Sequence, residues 1–85
     1  MSDDSPTPRD LLEYLTRGLV DEPDQVRINE IREHDGTVVL ELSVAQDDYG
    51  SVIGRGGRTA GALRTVVKAA ASRTGERVFV DIVDS

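Results

Sequence analysis

Two β-favouring runs, residues 26–33 and 37–45, stand on either side of Asp35-Gly36. Nothing else in the chain constrains its fold as much. Asp-Gly between such runs signals a tight hairpin, so these two strands pair antiparallel. The second run alternates cleanly, with Val38, Leu40, Leu42 and Val44 on one face and Glu41 and Ser43 on the other. One face of the hairpin must therefore be covered. The first run changes phase between Ile28 and Ile31, and a β-bulge is expected there. His34 stands beside the turn and reads as a surface residue without chemistry.

The cover comes from helical segments. Thr7 can cap a helix whose first position is Pro8, with Asp10 three residues after the cap. Leu12, Leu15 and Leu19 follow at helical spacing with Leu11 beside them, and Asp21-Glu22-Pro23 ends the element. Asp47-Asp48 can cap a short helix over 49–53, and Gly54 stops it. A longer helix is predicted over 58–73, closed by Gly75, and residues 77–83 form a last strand. The order is α-β-β-α-α-β, without repeat or interdomain linker. A strand reached through helices can lie parallel to the second strand by a right-handed crossover. The expectation is an α+β domain: a three-stranded mixed sheet with three helices packed on it. Residues 1–6 read as a flexible tail and 7–85 as the single domain.

An 85-residue chain buries only roughly 60–65% of its unfolded surface, which leaves little room for a deep active site. With one Phe, two Tyr and no Trp, the core must be aliphatic and alanine-based. There is no cysteine, so neither a disulfide framework nor thiolate chemistry is available. No apolar run approaches the ~18 residues of a membrane span. The acidic start MSDDSPTPRD is the opposite of a signal peptide, and a cytoplasmic protein is expected. No nucleophile–base pair or metal-ligand constellation stands out, so no enzyme, metal or cofactor is expected.

The net charge of −6 argues against a polyanionic partner, but its distribution does not. Between Ser51 and Arg77 stand Arg55, Arg58, Arg64, Lys68, Arg73 and Arg77 against Glu76 alone, a net of +5. The remainder carries four basic and fifteen acidic residues, a net of −11. A phosphate-bearing partner responds to the local field. At the head of this window lies VIGRGGRT, residues 52–59, with glycine at 54, 56 and 57. Gly54 and Gly57 bracket a G-x-x-G turn. The helix that follows has unpartnered first amides and a dipole that favours an anion. A phosphate can sit on those amides while Arg55 and Arg58 reach its oxygens.

Along the same helix, Gly57, Gly61, Arg64 and Lys68 form one stripe. A mid-helix glycine costs up to about 1 kcal/mol, so Gly61 implies close approach of something or tight helix packing. A second stripe, Leu63, Val66, Val67 and Ala70, is expected to face the sheet. A third, Ala62, Val66 and Ala69, is more apolar than a solvent face should be: it is core if the first helix covers it, and an interface if it is exposed. A P-loop needs four residues between its glycines followed by Gly-Lys-Ser/Thr, which is absent. A dinucleotide fingerprint needs glycine where Thr59 stands.

VIGRGGRTAGALRTVV resembles the signature of KH domains, and the element order resembles their type II, prokaryotic form. Leu19-Val20-Asp21 before Pro23, Val38 through Leu42, and Ile53-Gly54 through Ala71 are similar to the small bacterial stand-alone KH proteins of the KhpA family. The resemblance implies single-stranded RNA binding, with about four nucleotides in a groove and their backbone clamped by Gly54, Arg55, Gly56 and Gly57. Val52 and Ile53 would form an apolar groove floor, and Arg58, Gly61, Arg64 and Lys68 would extend the RNA-binding surface. Bases would meet that floor and strand-edge polar groups rather than aromatic stacks. Many KH loops carry a basic or polar residue where Gly56 stands, so this loop trades charge for flexibility. The family also implies homodimers, pairing with a larger KH-containing protein of the KhpB (Jag) type, and roles as an RNA chaperone or post-transcriptional regulator. The alternative is an interaction adaptor that acts through such pairing on cell elongation.

Overall fold

The computed structural model describes residues 6–84. Its elements are α1 (Pro8–Leu19), β1 (Arg27–Arg32), β2 (Val38–Ser43), α2 (Tyr49–Ile53), α3 (Arg58–Ser72) and β3 (Val78–Ile82), in the expected order. Apart from Pro6, the expected tail lies outside the described residues. The first helix starts on its cap: the Asp10 amide donates to Thr7 Oγ1 at 3.0 Å, and Pro8 opens α1.

The sheet has the order β1-β2-β3, with β1 antiparallel and β2 parallel to its neighbour. The hairpin closes as its turn chemistry requires. Gly36 adopts φ +87°, and the Thr37 amide donates to Asp35 Oδ1 at 2.9 Å. Those bonds from Thr37 hold the Asp35 carboxyl below the ordinary carboxylate range.

Val38, Leu40, Leu42, Val78 and Val80 turn to one face and meet Leu12 of α1, Val52 of α2, and Leu63, Val67 and Ala71 of α3. This is an aliphatic and alanine core, and all three helices contribute to it. The chain is thus an α+β domain with three helices on a three-stranded mixed sheet, the KH fold.

Three local expectations fail. The bulge in β1 is absent: the register runs unbroken from Arg27↔Ser43 to Arg32↔Val38. The phase change arises because Ile31 faces the open side of the sheet, 39% exposed. It lines up there with Val39 and Phe79 in one cross-strand row. On α3 the core stripe is Ala60, Leu63, Val67 and Ala71. Val66 is 40% exposed and Ala70 only half-buried, because α3 is rotated toward its small residues.

The third correction concerns Asp48, which does not cap α2 with its side chain. The residue is 2% exposed, and its carboxylate reaches back to the segment after α1. There Oδ1 accepts from the Asp21 amide at 3.0 Å and Oδ2 from the Glu22 amide at 3.1 Å. A buried carboxylate is tolerable when both oxygens are satisfied in this way. Asp48 therefore ties the approach to α2 onto the α1–β1 connection. Replacing it with alanine orphans two amides, and Asp48→Ala is expected to lower unfolding stability by roughly 2–4 kcal/mol. Urea denaturation followed by circular dichroism measures this, and a loss under about 0.5 kcal/mol would contradict the role given to Asp48.

Candidate nucleic-acid interface

The G-x-x-G turn is built from backbone that only glycine supplies cheaply. α2 ends as the Gly54 amide donates to the Gly50 carbonyl at 2.9 Å, and Gly54 itself turns to φ +76°. Residues 54–57 make one tight turn, closed by the Gly57 amide on the Gly54 carbonyl at 3.1 Å. Gly56 and Gly57 also take positive φ, +64° and +79°. Gly54 is required for a second reason. A Cβ there would lie 2.2 Å from Thr59 Oγ1 and 2.8 Å from the Thr59 amide nitrogen, whereas one on Gly56 or Gly57 would meet nothing within 4 Å.

α3 starts directly after the turn. Its N-cap is Gly57, which has no side chain to cap with, so the first amides of a 15-residue helix carry no side-chain partner. Arg55 and Arg58 are both exposed beside them, and neither pairs with a carboxylate among the described residues. The Gly57 and Arg58 amides already donate to the Gly54 and Arg55 carbonyls, so what this corner offers a phosphate is the positive end of the helix dipole and two unneutralised guanidinium groups.

The remaining expected residues fall along one surface, with one exception. Val52 is wholly buried, so its side chain supports the turn from beneath and offers nothing to a ligand. Ile53 beside it is 38% exposed. Gly61 is exposed on α3 with open space around it, so tight packing within the chain does not explain it. Arg64 and Lys68 continue the line away from the turn toward β3. Arg64 Nε donates to the Val80 carbonyl at 3.2 Å, and Lys68 Nζ lies 5.3 Å from the Phe79 ring centroid. The turn, the exposed stripe of α3 and the outer edge of β3 form one continuous strip.

Sequence reasoning missed Phe79 and Arg77 as members of this strip. Arg77 approaches the same ring, 5.9 Å from its centroid. The signal was present in the alternation Val78-Phe79-Val80, which sends the single phenylalanine away from the core.

A separate apolar surface lies between α1 and α3. Leu15, Leu19, Thr59, Ala62, Leu63 and Val66 line a shallow depression there, with Leu19 43% and Val66 40% exposed. Ala62, Val66 and Ala69 are all exposed, so α1 does not bury them as core. Among the described residues no group of three His, Cys, Asp or Glu could hold a metal ion, and no helix is long and apolar enough to cross a membrane.

The turn's geometry ranks its glycines. Gly54→Ala is expected to cost about 2–4 kcal/mol, combining positive-φ strain with the clash on Thr59, and Gly57→Ala only about 1–2 kcal/mol. Equal losses in urea denaturation would show that the Thr59 contact plays no part.

Comparison with known proteins supplies the last observations. The family described as KhpA/KhpB, KH domain, matches residues 9–82. A protein named RNA-binding protein KhpA from Caldanaerobacter subterraneus subsp. tengcongensis is 47% identical over 74 residues, covering 87% of this chain and 97% of its own. The protein of that name from Halalkalibacterium halodurans is 51% identical over 76 residues, covering 87% and 96%. That from Mycobacterium bovis is 51% identical over 76 residues, covering 89% and 90%. A crystal structure of Aquifex aeolicus Era with GDP and aluminium fluoride superposes over 100% of this chain with a TM-score of 0.55 at 17% identity. The chain spans 34% of the Era chain, and that likeness concerns the fold alone.

Proposed function

The chain belongs to the KhpA/KhpB KH-domain family, and from that membership we propose that it binds single-stranded RNA by seating the sugar-phosphate backbone on the Gly54–Gly57 turn. The observation that carries this reading is the corner where uncapped α3 amides meet Arg55 and Arg58. A phosphate there meets the positive end of the helix dipole and accepts charge-assisted bonds from two guanidinium groups. Ile53 gives the bases an apolar contact, and Gly61 leaves room for a strand to lie close against α3. Arg64 and Lys68 extend the positive strip for the following phosphates. The relatives' name, RNA-binding protein KhpA, supports the same reading. Such a protein would serve in the cytoplasm as an RNA chaperone or post-transcriptional regulator. Its role is to hold RNA, without chemistry, cofactor or metal.

The variant Arg55→Asp/Gly56→Asp tests the clamp. The site of Gly56 has open space around it, and Asp tolerates its left-handed backbone, so the variant keeps the fold. Wild-type protein is expected to bind a degenerate single-stranded RNA pool. Its affinity should fall about ten-fold between 50 and 200 mM salt if roughly three phosphates are neutralised. The folded double variant is expected to lose at least about ten-fold at either salt. Equal binding by the two proteins, or no binding by either, overturns the clamp reading.

The exposed α1–α3 surface favours a second role beside the first. Leu15, Leu19, Ala62 and Val66 give one domain an apolar face of the kind that protein partners cover. Two copies joined there form a homodimer with two clamps, and linked weak sites bind one RNA more tightly than either alone. The same face would serve pairing with a KhpB/Jag-type protein, the adaptor role through which the chain would act on cell elongation. Leu19→Glu/Val66→Glu is expected to convert a dimer to a monomer in sedimentation experiments while leaving the circular dichroism spectrum unchanged. A wild-type protein that stays monomeric at high concentration removes the homodimer.

A further inference from the structure

Phe79 is the one aromatic residue on the basic strip. It sits on the open side of the sheet, 41% exposed, on an outer strand with no further strand beside it among the described residues. Burial does not account for it there, because its alternation partners Val78 and Val80 take the core positions. Two cations converge on its ring from different elements, Lys68 from α3 and Arg77 from the residue before β3. A shallow groove lies against it, lined by Lys68, Ala71, Glu76, Arg77, Val78 and Phe79. Glu76 is the only carboxylate in that lining, and its side chain is engaged with Arg32 at 3.4 Å. The groove therefore presents a half-exposed aromatic ring with two positive charges and no competing free anion.

We propose that Phe79 is a base-stacking subsite for the RNA strand held at the glycine turn. The proposal rests on the RNA-binding reading above and adds to it a mode of contact that apolar floor residues do not provide. An aromatic ring takes any nucleobase on its face. Lys68 and Arg77 lie over the ring by cation–π attraction, which is worth little at an exposed site. Both lie within 6 Å of the ring centroid, at 5.3 and 5.9 Å, beside any nucleotide stacked there. On binding, the base takes the ring and the cations turn to the phosphate. Arg58 and Lys68 are ten residues apart on α3, about 15 Å along its axis. A strand clamped at the turn and following Gly61 and Arg64 thus reaches Phe79 at the far end of the same path.

The test uses the full chain and a ten-nucleotide oligoadenylate. Phe79→Leu keeps an apolar side chain and removes the ring. Phe79→Trp keeps a stacking face and introduces the chain's only tryptophan, a fluorescent reporter at the site itself. Wild-type protein is expected to bind, and Phe79→Leu to bind about five- to one hundred-fold more weakly with an unchanged circular dichroism spectrum. Phe79→Trp is expected to bind at least as well as wild type, with its emission quenched as RNA saturates. That quenching should disappear when Arg55→Asp/Gly56→Asp is added. Unchanged affinity in folded Phe79→Leu, or saturation of Phe79→Trp without a change in emission, overturns the stacking subsite while leaving the clamp standing. Absence of RNA binding by the wild-type chain removes the clamp and the subsite together.

Discussion

The parallel pairing of β2 with β3 is the constraint around which the molecule is arranged. Antiparallel neighbours can be joined by a short turn, as β1 and β2 are here through residues 33–37, but parallel neighbours cannot. The chain leaving β2 has to travel back along the sheet before β3 can start, and it does so as α2 and α3 on the face that buries Val38, Leu40 and Leu42. The return path must bend once, and the bend is the glycine turn. The abrupt start of α3, with no side-chain cap and its positive end outward, therefore follows from the crossover. A topological necessity leaves an anion-seeking corner at the surface, and Arg55 and Arg58 intensify it.

The bend follows a helix that could not stand alone. α2 has five residues, too few to hold a helix alone in water. It stands because Val52 is sunk in the core and because the residues around its start are tied to distant segments. Asp48 holds the amides of Asp21 and Glu22, and the Tyr49 hydroxyl donates to the Val83 carbonyl beyond β3. By contrast, the ion pairs on α1 and around Arg32 are exposed and contribute little. The precision of the turn thus depends on a few buried anchors drawn from both ends of the domain.

Much of this was legible in the sequence because it depends on short-range chemistry. Asp-Gly marks a hairpin, Thr-Pro starts a helix, and a positive-φ run needs glycine. What failed depends on which elements meet in space. The phase change at Ile31 reads as a bulge only if every apolar strand residue faces the core, and Ile31 faces away from it with Val39 and Phe79. The rotation of α3 that exposes Val66 is set by the fit of Ala60 and Ala71 against their neighbours, which periodicity alone does not resolve. Asp48 looks like a helix cap from the sequence because its true partners lie 26 and 27 positions away. The alternation around Phe79 already turns its ring away from the core, but the cations beside that ring come from two elements that converge only in the fold.

The bond from Tyr49 to Val83 also has a mechanical side. Tension on the chain beyond Val83 meets β3, which resists in shear because its hydrogen bonds to β2 lie across the direction of pull. Part of the same load passes through the tyrosine hydroxyl into α2, and so to the glycine turn, without crossing α3. Whatever is fused or tethered at that end of the domain therefore acts on the glycine turn through a short lever. Loads at the start of α1 take a longer route.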